Sequence, residues 1–142
     1  VCLRDNLLLG MTNMSLGRTL ETQLNRALSM AAFAPDLAKM PQGLDTPIGT
    51  RGVRLSGGQK QRLAAARMLL RQTELLIFDD LSSALDVETE QQLWDSLLEP
   101  HAHTSSLPYV PTYLTVSHRP AILQRADQVI DLQAGRVCGR PQ

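Results

Sequence analysis

The chain is 142 residues long, the size of one ordinary domain, and its 14 Lys+Arg are balanced by 14 Asp+Glu to a formal net charge of zero. That balance argues against a general binder of nucleic acid or anionic membranes, which carries a basic excess, and an aromatic content of 4% argues against a stacking platform for single strands. Hydrophobic residues at 43% and charged residues at 20% are the composition of a globular protein, and no apolar run approaches the roughly 18 residues that cross a bilayer.

In chain order, Val1–Gly10 carries Leu7-Leu8-Leu9 and reads as a short turn or helix fragment, and Met11–Thr19 as a loop. Leu20, Leu24, Ala27, Leu28 and Ala31 recur on one face, which predicts an amphipathic helix over Leu20–Phe33 that Pro35 ends. One further turn is expected over Asp36–Met40. Between Pro41 and Gly58 stand two Pro and five Gly, too many breakers for a regular element. Gln59–Arg71 has no breaker and is rich in Ala, Leu, Arg and Gln, so it reads as a helix, with Ser56 ahead of it as a cap.

Leu75-Leu76-Ile77-Phe78 is an unbroken apolar run of strand length, the pattern of a strand buried on both faces of a parallel sheet. Val87–Leu98 follows as a helix capped by Asp86, with Val87, Trp94, Leu97 and Leu98 toward the core. A loop rich in Pro, His and Ser spans Pro100–Pro111. Then come a strand at Tyr113–Val116, a short helix after Pro120, a strand at Gln128–Leu132, a turn at Gly135 and a short strand at Arg136–Cys138. This alternation of strand and helix predicts an α/β fold with a mainly parallel sheet.

Smaller counts carry further expectations. The start of the chain lacks the basic and apolar pattern of a secretory leader, and Cys2 and Cys138 fit no disulfide or metal-ligand spacing, so they are expected as reduced thiols. The His101-x-His103 pair has no Cys or carboxylate cluster around it and is not expected to bind metal. The first residue is Val1 rather than Met, which leads to the expectation that the chain begins partway through a longer one.

Three places carry chemistry. Leu55-Ser56-Gly57-Gly58-Gln59 stands directly before a helix. Two glycines there allow close backbone approach, and the helix start directs N–H groups and positive partial charge outward, as a phosphate requires. A glycine-containing cap that only starts the helix fits the same residues. Asp79-Asp80 closes the apolar strand, at the edge where α/β proteins bind ligands. One such Asp can hold Mg²⁺ through water and a second carboxylate can take a proton from an attacking water, although a solvated acidic turn is the plainer alternative. His118, after the strand ending at Val116, falls at the same kind of edge.

In this order the motifs resemble the ATP-binding domain of ABC transporters. Leu55–Gln59, continued by Lys60-Gln61-Arg62, is similar to the family's signature motif, and Leu75–Asp79 to its Walker B strand. Ser82-Ser83-Ala84-Leu85-Asp86 resembles the D-loop, and His118 the switch histidine. The resemblance implies a RecA-like P-loop NTPase core with the ABC helical subdomain, divided here into residues 1–72 and 73–142. It implies ATP and Mg²⁺ as ligands. Asp79 falls at the magnesium-associated position and Asp80 where the family usually carries a catalytic Glu. Leu55, Ser56, Gly57, Gly58 and Gln59 would form the signature site for ATP held by a second nucleotide-binding domain packed head to tail, with Ser56, Gly57 and Gly58 at its terminal phosphate and Asp86 at the dimer contact.

Arg4-Asp5-Asn6-Leu7 and Asp45–Gly52 are similar to segments of exporter-type members, with Thr50 where Glu often stands. The partners implied are that second domain and transmembrane domains, with no nucleic acid, at the cytoplasmic face of a membrane. One family element is missing. Walker A needs Gly-Lys followed by Ser or Thr, but Lys39 follows Ala38 and Lys60 follows Gln59. The chain alone is therefore expected to hydrolyse little or no ATP. Two alternatives stay open: a non-catalytic half-site that lends its signature motif to a partner, and a soluble ABC ATPase unrelated to transport.

Overall fold

The structure, a computed structural model, describes residues 1–11, 18–98 and 111–138. Helix α1 (Leu3–Leu7) opens with a capping box, in which the Asp5 carboxylate accepts the Cys2 N–H at 2.9 Å and the Cys2 thiol accepts the Asp5 N–H. Helix α2 (Arg18–Met30) buries the expected Leu20, Leu24, Ala27 and Leu28. It ends three residues short of the expected Phe33, for a local reason. Ala32 adopts a left-handed conformation (φ 53°), its N–H bonds to the Ser29 carbonyl, and the Phe33 N–H returns to the Leu28 carbonyl at 2.8 Å. This paired closure satisfies the last carbonyls of α2 and drives Phe33 into the core, fully buried. Pro35 does not end α2. It lies in the first turn of α3 (Ala34–Ala38), where its missing N–H would be unpaired anyway.

Residues 41–55 cross the surface through two 3-10 turns, Gly43–Asp45 and Thr50–Gly52. Helix α4 (Gly57–Leu70) then packs on α1 and α2, contributing Leu63, Ala65, Ala66 and Leu70 to their shared core. It starts two residues before the expected Gln59, so Gly57 and Gly58 form its first turn rather than the approach to it.

Strand β1 (Leu75–Asp79) and strand β2 (Thr112–Val116) run parallel, in register from Leu75 opposite Thr112 to Asp79 opposite Val116. Helix α5 (Val87–Leu98) lies between them in the chain. Leu76 and Phe78 point to the α5 side, where Leu93, Trp94 and Leu97 are buried. The Phe78 ring meets Trp94 edge-on at 5.6 Å and stacks on Tyr113 at 6.1 Å. Burial of Tyr113, whose hydroxyl donates to the Leu97 carbonyl, raises its pKa.

Two expectations fail here. β1 is not buried on both faces: Leu75 and Ile77 are 50% and 57% exposed, beside the exposed Leu114 and Val116 of β2. α5 covers one face only, and no described element covers the other. Val87 is exposed as well. It shares the Trp94 side of α5, but core contacts begin only at Leu93, so the first turn reaches past the apolar layer.

Helix α6 (Pro120–Leu123) buries Ile122, and strands β3 (Asp131–Gln133) and β4 (Arg136–Cys138) form an antiparallel hairpin. Its turn residues Ala134 and Gly135 both have positive φ, 48° and 75°, the geometry that matches strand twist across two residues. That turn pairs Gln133 with Arg136, which places β3 later than the expected Gln128–Leu132. His101, His103 and most of the expected Pro100–Pro111 loop lie outside the described residues.

Candidate functional site

The start of α4 is built by a reciprocal cap. Ser56 Oγ accepts the Gln59 N–H at 3.2 Å, and Gln59 Oε1 accepts the Ser56 N–H at 2.9 Å. The Lys60 N–H goes to the Ser56 carbonyl. Those bonds leave the Gly57 and Gly58 N–H groups and the Ser56 hydroxyl proton outside the cap's own hydrogen bonds, with Gly57 exposed and Gly58 buried. No acidic side chain stands in the first turn to neutralise the helix end. Leu55 is buried beneath the turn, while Ser56 and Gly57 are exposed. A donor set of two main-chain N–H groups and one hydroxyl is chemically suited to a phosphate oxygen.

Gln59 is also tied into the protein through its side chain. Both ends of its side-chain amide are used inside the protein, Oε1 in the cap and Nε2 donating to Asp36 at 2.8 Å. The same Asp36 carboxylate takes Arg62 Nη2 at 2.6 Å, in a pair whose side chains are 11% and 18% exposed. Asp36 lies 23 and 26 residues from these partners, and no local sequence signal marks it.

The second half of the site is the edge where both strands end. Parallel pairing places Asp79 level with Val116, so Asp79, Asp80 and His118 share the C-terminal edge. Asp79 and His118 are exposed and Asp80 half-buried. Asp80 has a left-handed backbone, φ 49°, a conformation that Asp tolerates better than most side chains. Its N–H is held by the Val116 carbonyl at 3.1 Å, which ties the turn after β1 to the end of β2. Among the described residues no group of three or more His, Cys, Asp or Glu is placed to hold a metal. One water-bridged carboxylate beside phosphates suffices for Mg²⁺, and Asp79 fits that need.

Residues 81–85 join the two halves. Gln61, from the second turn of α4, donates through Nε2 to Ser83 Oγ at 2.6 Å and accepts the Ala84 N–H at 3.1 Å. A Cβ on Gly58 would stand 2.8 Å from the Ala84 carbonyl oxygen and 3.1 Å from Leu85 Cδ2. On the other side Arg119 donates to the Ser82 carbonyl at 3.0 Å and pairs with Glu90 of α5. Asp86 closes the loop as the cap of α5, its two oxygens taken by the Thr89 N–H and hydroxyl at 2.9 and 2.8 Å. Those bonds, the backbone one first, hold the Asp86 carboxyl below its ordinary pKa. Gln61, Arg119 and Glu90 are not singled out by the sequence patterns, because their partners are main-chain groups and distant side chains.

An α4 start with open N–H groups, joined by a short loop to a carboxylate-bearing parallel strand edge, is the arrangement of an ABC-type ATP-binding domain. The family model described as "ABC transporter" matches residues 4–83, more than half of the chain, and the chain belongs to that family. Among curated proteins it is 36% identical over 135 residues to the heterocyst differentiation ATP-binding protein HepA of Nostoc sp., covering 95% of this chain and 20% of that protein. It is 39% identical over 123 residues to the ATP-dependent lipid A-core flippase of Bordetella avium, covering 87% and 20%. A solved structure of a bacterial Atm1-family ABC exporter with ATP bound superposes with a TM-score of 0.80 at 33% identity, over 97% of this chain and 22% of that one. The chain thus spans about a fifth of the length of these relatives, and the fold is the α/β P-loop NTPase fold of ABC ATPases.

Proposed function

We propose that the chain serves as the signature-bearing part of an ABC exporter's ATP-binding domain, coupling ATP binding and hydrolysis to transport across a membrane. The observation that carries this reading is the capped α4 start, whose free donors are those a triphosphate needs. Ser56, Gly57 and Gly58 contact the terminal phosphate of ATP held by a second nucleotide-binding domain packed head to tail. Leu55 anchors the turn from below, and Gln59 acts through the cap rather than on the nucleotide. Asp79 takes the magnesium position, where the ion when bound neutralises phosphate charge. Asp80 accepts the proton of the attacking water, and His118 hydrogen-bonds phosphate at the same edge.

Residues 1–72 act as the helical subdomain and 73–142 as the later half of the RecA-like core, with Asp86 at the contact between domains. The Gly-Lys phosphate loop comes from outside these 142 residues. Transmembrane domains are the other partners, which places the chain at the cytoplasmic face of a membrane. The similarity to lipid A-core flippases and to an Atm1-family exporter supports export as the direction.

One observation favours a second reading, a half-site that lends its signature motif without hydrolysing ATP of its own. Asp80, one methylene shorter than the family's usual Glu, has less reach toward an attacking water. Both readings are tested by assembling the chain with a nucleotide-binding domain that has an intact phosphate loop and a disabled signature motif. ATP turnover appears on assembly, and Gly57→Asp, which places negative charge at the exposed helix start, abolishes it. Asp80→Asn leaves that turnover intact, since the reacting ATP lies on the partner. A complex that forms without turnover overturns the proposal, as does magnesium-dependent turnover by the chain alone.

A further inference from the structure

Residues 81–85 lie between the start of α4 and the strand edge, and side chains hold them from both sides. Gln61 supplies the α4 side. An N–H can only donate, so the Ala84 N–H fixes Oε1 toward the loop, and Nε2 is left facing Ser83 Oγ. The amide therefore has a single orientation and grips two successive loop residues. Gly58 completes this contact by leaving room for the Ala84 carbonyl. The loop itself is short and internally tied, with the Ser83 N–H on the Asp80 carbonyl and the Leu85 N–H on the Ser82 carbonyl, each at 3.1 Å. Leu85 is buried and Ser82 is 2% exposed, so the loop has little room to shift without moving Asp80 or Asp86.

We propose that Gln61 is a positioning residue that locks the 82–86 loop onto the start of α4, so that the edge reading a partner's ATP and the edge bearing Asp79, Asp80 and His118 move as one body. This rests on the function proposed above. Gln61 touches neither nucleotide nor reacting atoms; it sets where Asp86 and the Ser56 turn stand relative to each other. Arg119 holds the far side of the same loop through the Ser82 carbonyl, next to His118. Removing the Gln61 amide frees Ser83 and Ala84 while leaving the helical core, which it does not enter, in place.

The test uses two measurements. In the assembled pair described above, Gln61→Ala lowers kcat roughly tenfold, the scale of a slight misplacement, with KM for ATP changed by less than about twofold. Gln61→Glu keeps an acceptor for the Ala84 N–H and for the Ser83 hydroxyl, and holds kcat within about threefold of the parent. Ser83→Ala added to Gln61→Ala causes little further loss, because the two side chains act through one bond. In the full 142-residue chain without nucleotide, hydrogen exchange at the Ala84 amide accelerates in Gln61→Ala while Leu63–Leu70 keep their protection.

An unchanged Ala84 exchange rate, or a kcat equal to the parent's in an active pair, overturns the proposal. A loss in KM and kcat together with deprotected α4 also overturns it, since that is plain destabilisation. A pair that is inactive with the parent chain overturns the functional reading instead, and the Ala84 exchange then decides the lock by itself.

Discussion

The helical region α1–α4 and the strand region β1–β2 bury apolar side chains in different ways. In the first, Leu3, Leu7, Leu24, Leu28, Ala31, Phe33 and Ile48 are at most 1% exposed, within one apolar cluster. In the second, Leu76 and Phe78 are covered by α5, while Leu75, Ile77, Leu114 and Val116 on the opposite face stand half or more exposed. An apolar run in sequence records what a strand is suited to, and burial depends on how many layers the surrounding chain supplies. Among the described residues, the helical region buries its apolar side chains and the sheet is covered on one face.

Substitutions can break or sharpen this contrast. The largest expected effect is Phe33→Ala, which removes a fully buried ring from the helical core and costs about 3–4 kcal/mol in chemical denaturation. A cost below about 1 kcal/mol would show that the helical region is not the tighter of the two. Asp36→Ala follows, at about 2–3 kcal/mol, because it leaves the Arg62 guanidinium nearly buried without its carboxylate and takes a partner from Gln59. Asp36 and Arg62 replaced together should cost less than Asp36→Ala alone.

On the sheet, Ile77→Ser is expected to change stability by less than about 0.5 kcal/mol, the ordinary range for an exposed position. The same substitution with Leu114→Ser lowers the binding of a hydrophobic dye, since the pair supplies much of the open apolar face. A large loss of stability from Ile77→Ser would mean that this face is covered.

The smallest effect is expected at Asp86. Its folded pKa is depressed by the Thr89 bonds, so its contribution is present above the pKa of the unfolded chain and disappears as pH falls through the lower folded value. Asp86→Ala is therefore less stable than the parent at neutral pH, and the two converge in acid. A difference that persists unchanged at pH 2 would rule out the carboxylate as its source.

Much of this was legible in the residues themselves. Ser56 and Asp86 were readable as caps because short oxygen-bearing side chains before breaker-free runs have few other uses. The order of strand, carboxylate pair and later His by itself places Asp79, Asp80 and His118 on one edge, since parallel strands put their ends together. Three things were not legible. The Ala32 closure that stops α2 needs a left-handed residue, and nothing in the identity of alanine announces one. The inner ties made by Asp36, Gln61 and Arg119 join residues far apart in sequence, through groups that every polar residue carries. The open face of β1 depends on which elements surround the strand, a property that its own residues do not encode.

The close approach of Ala84 to Gly58 changes how mutant alleles at the signature motif are to be interpreted. A methyl group at position 58 would sit 2.8 Å from the Ala84 carbonyl oxygen, so even the mildest replacement displaces backbone that leads to Asp80 and Asp86. Loss of activity in a Gly58 allele is thus no evidence by itself that the residue touches nucleotide. Gly57, whose added methyl would meet only Ala84 Cβ at 3.4 Å, is the position where a phenotype reports on the ligand.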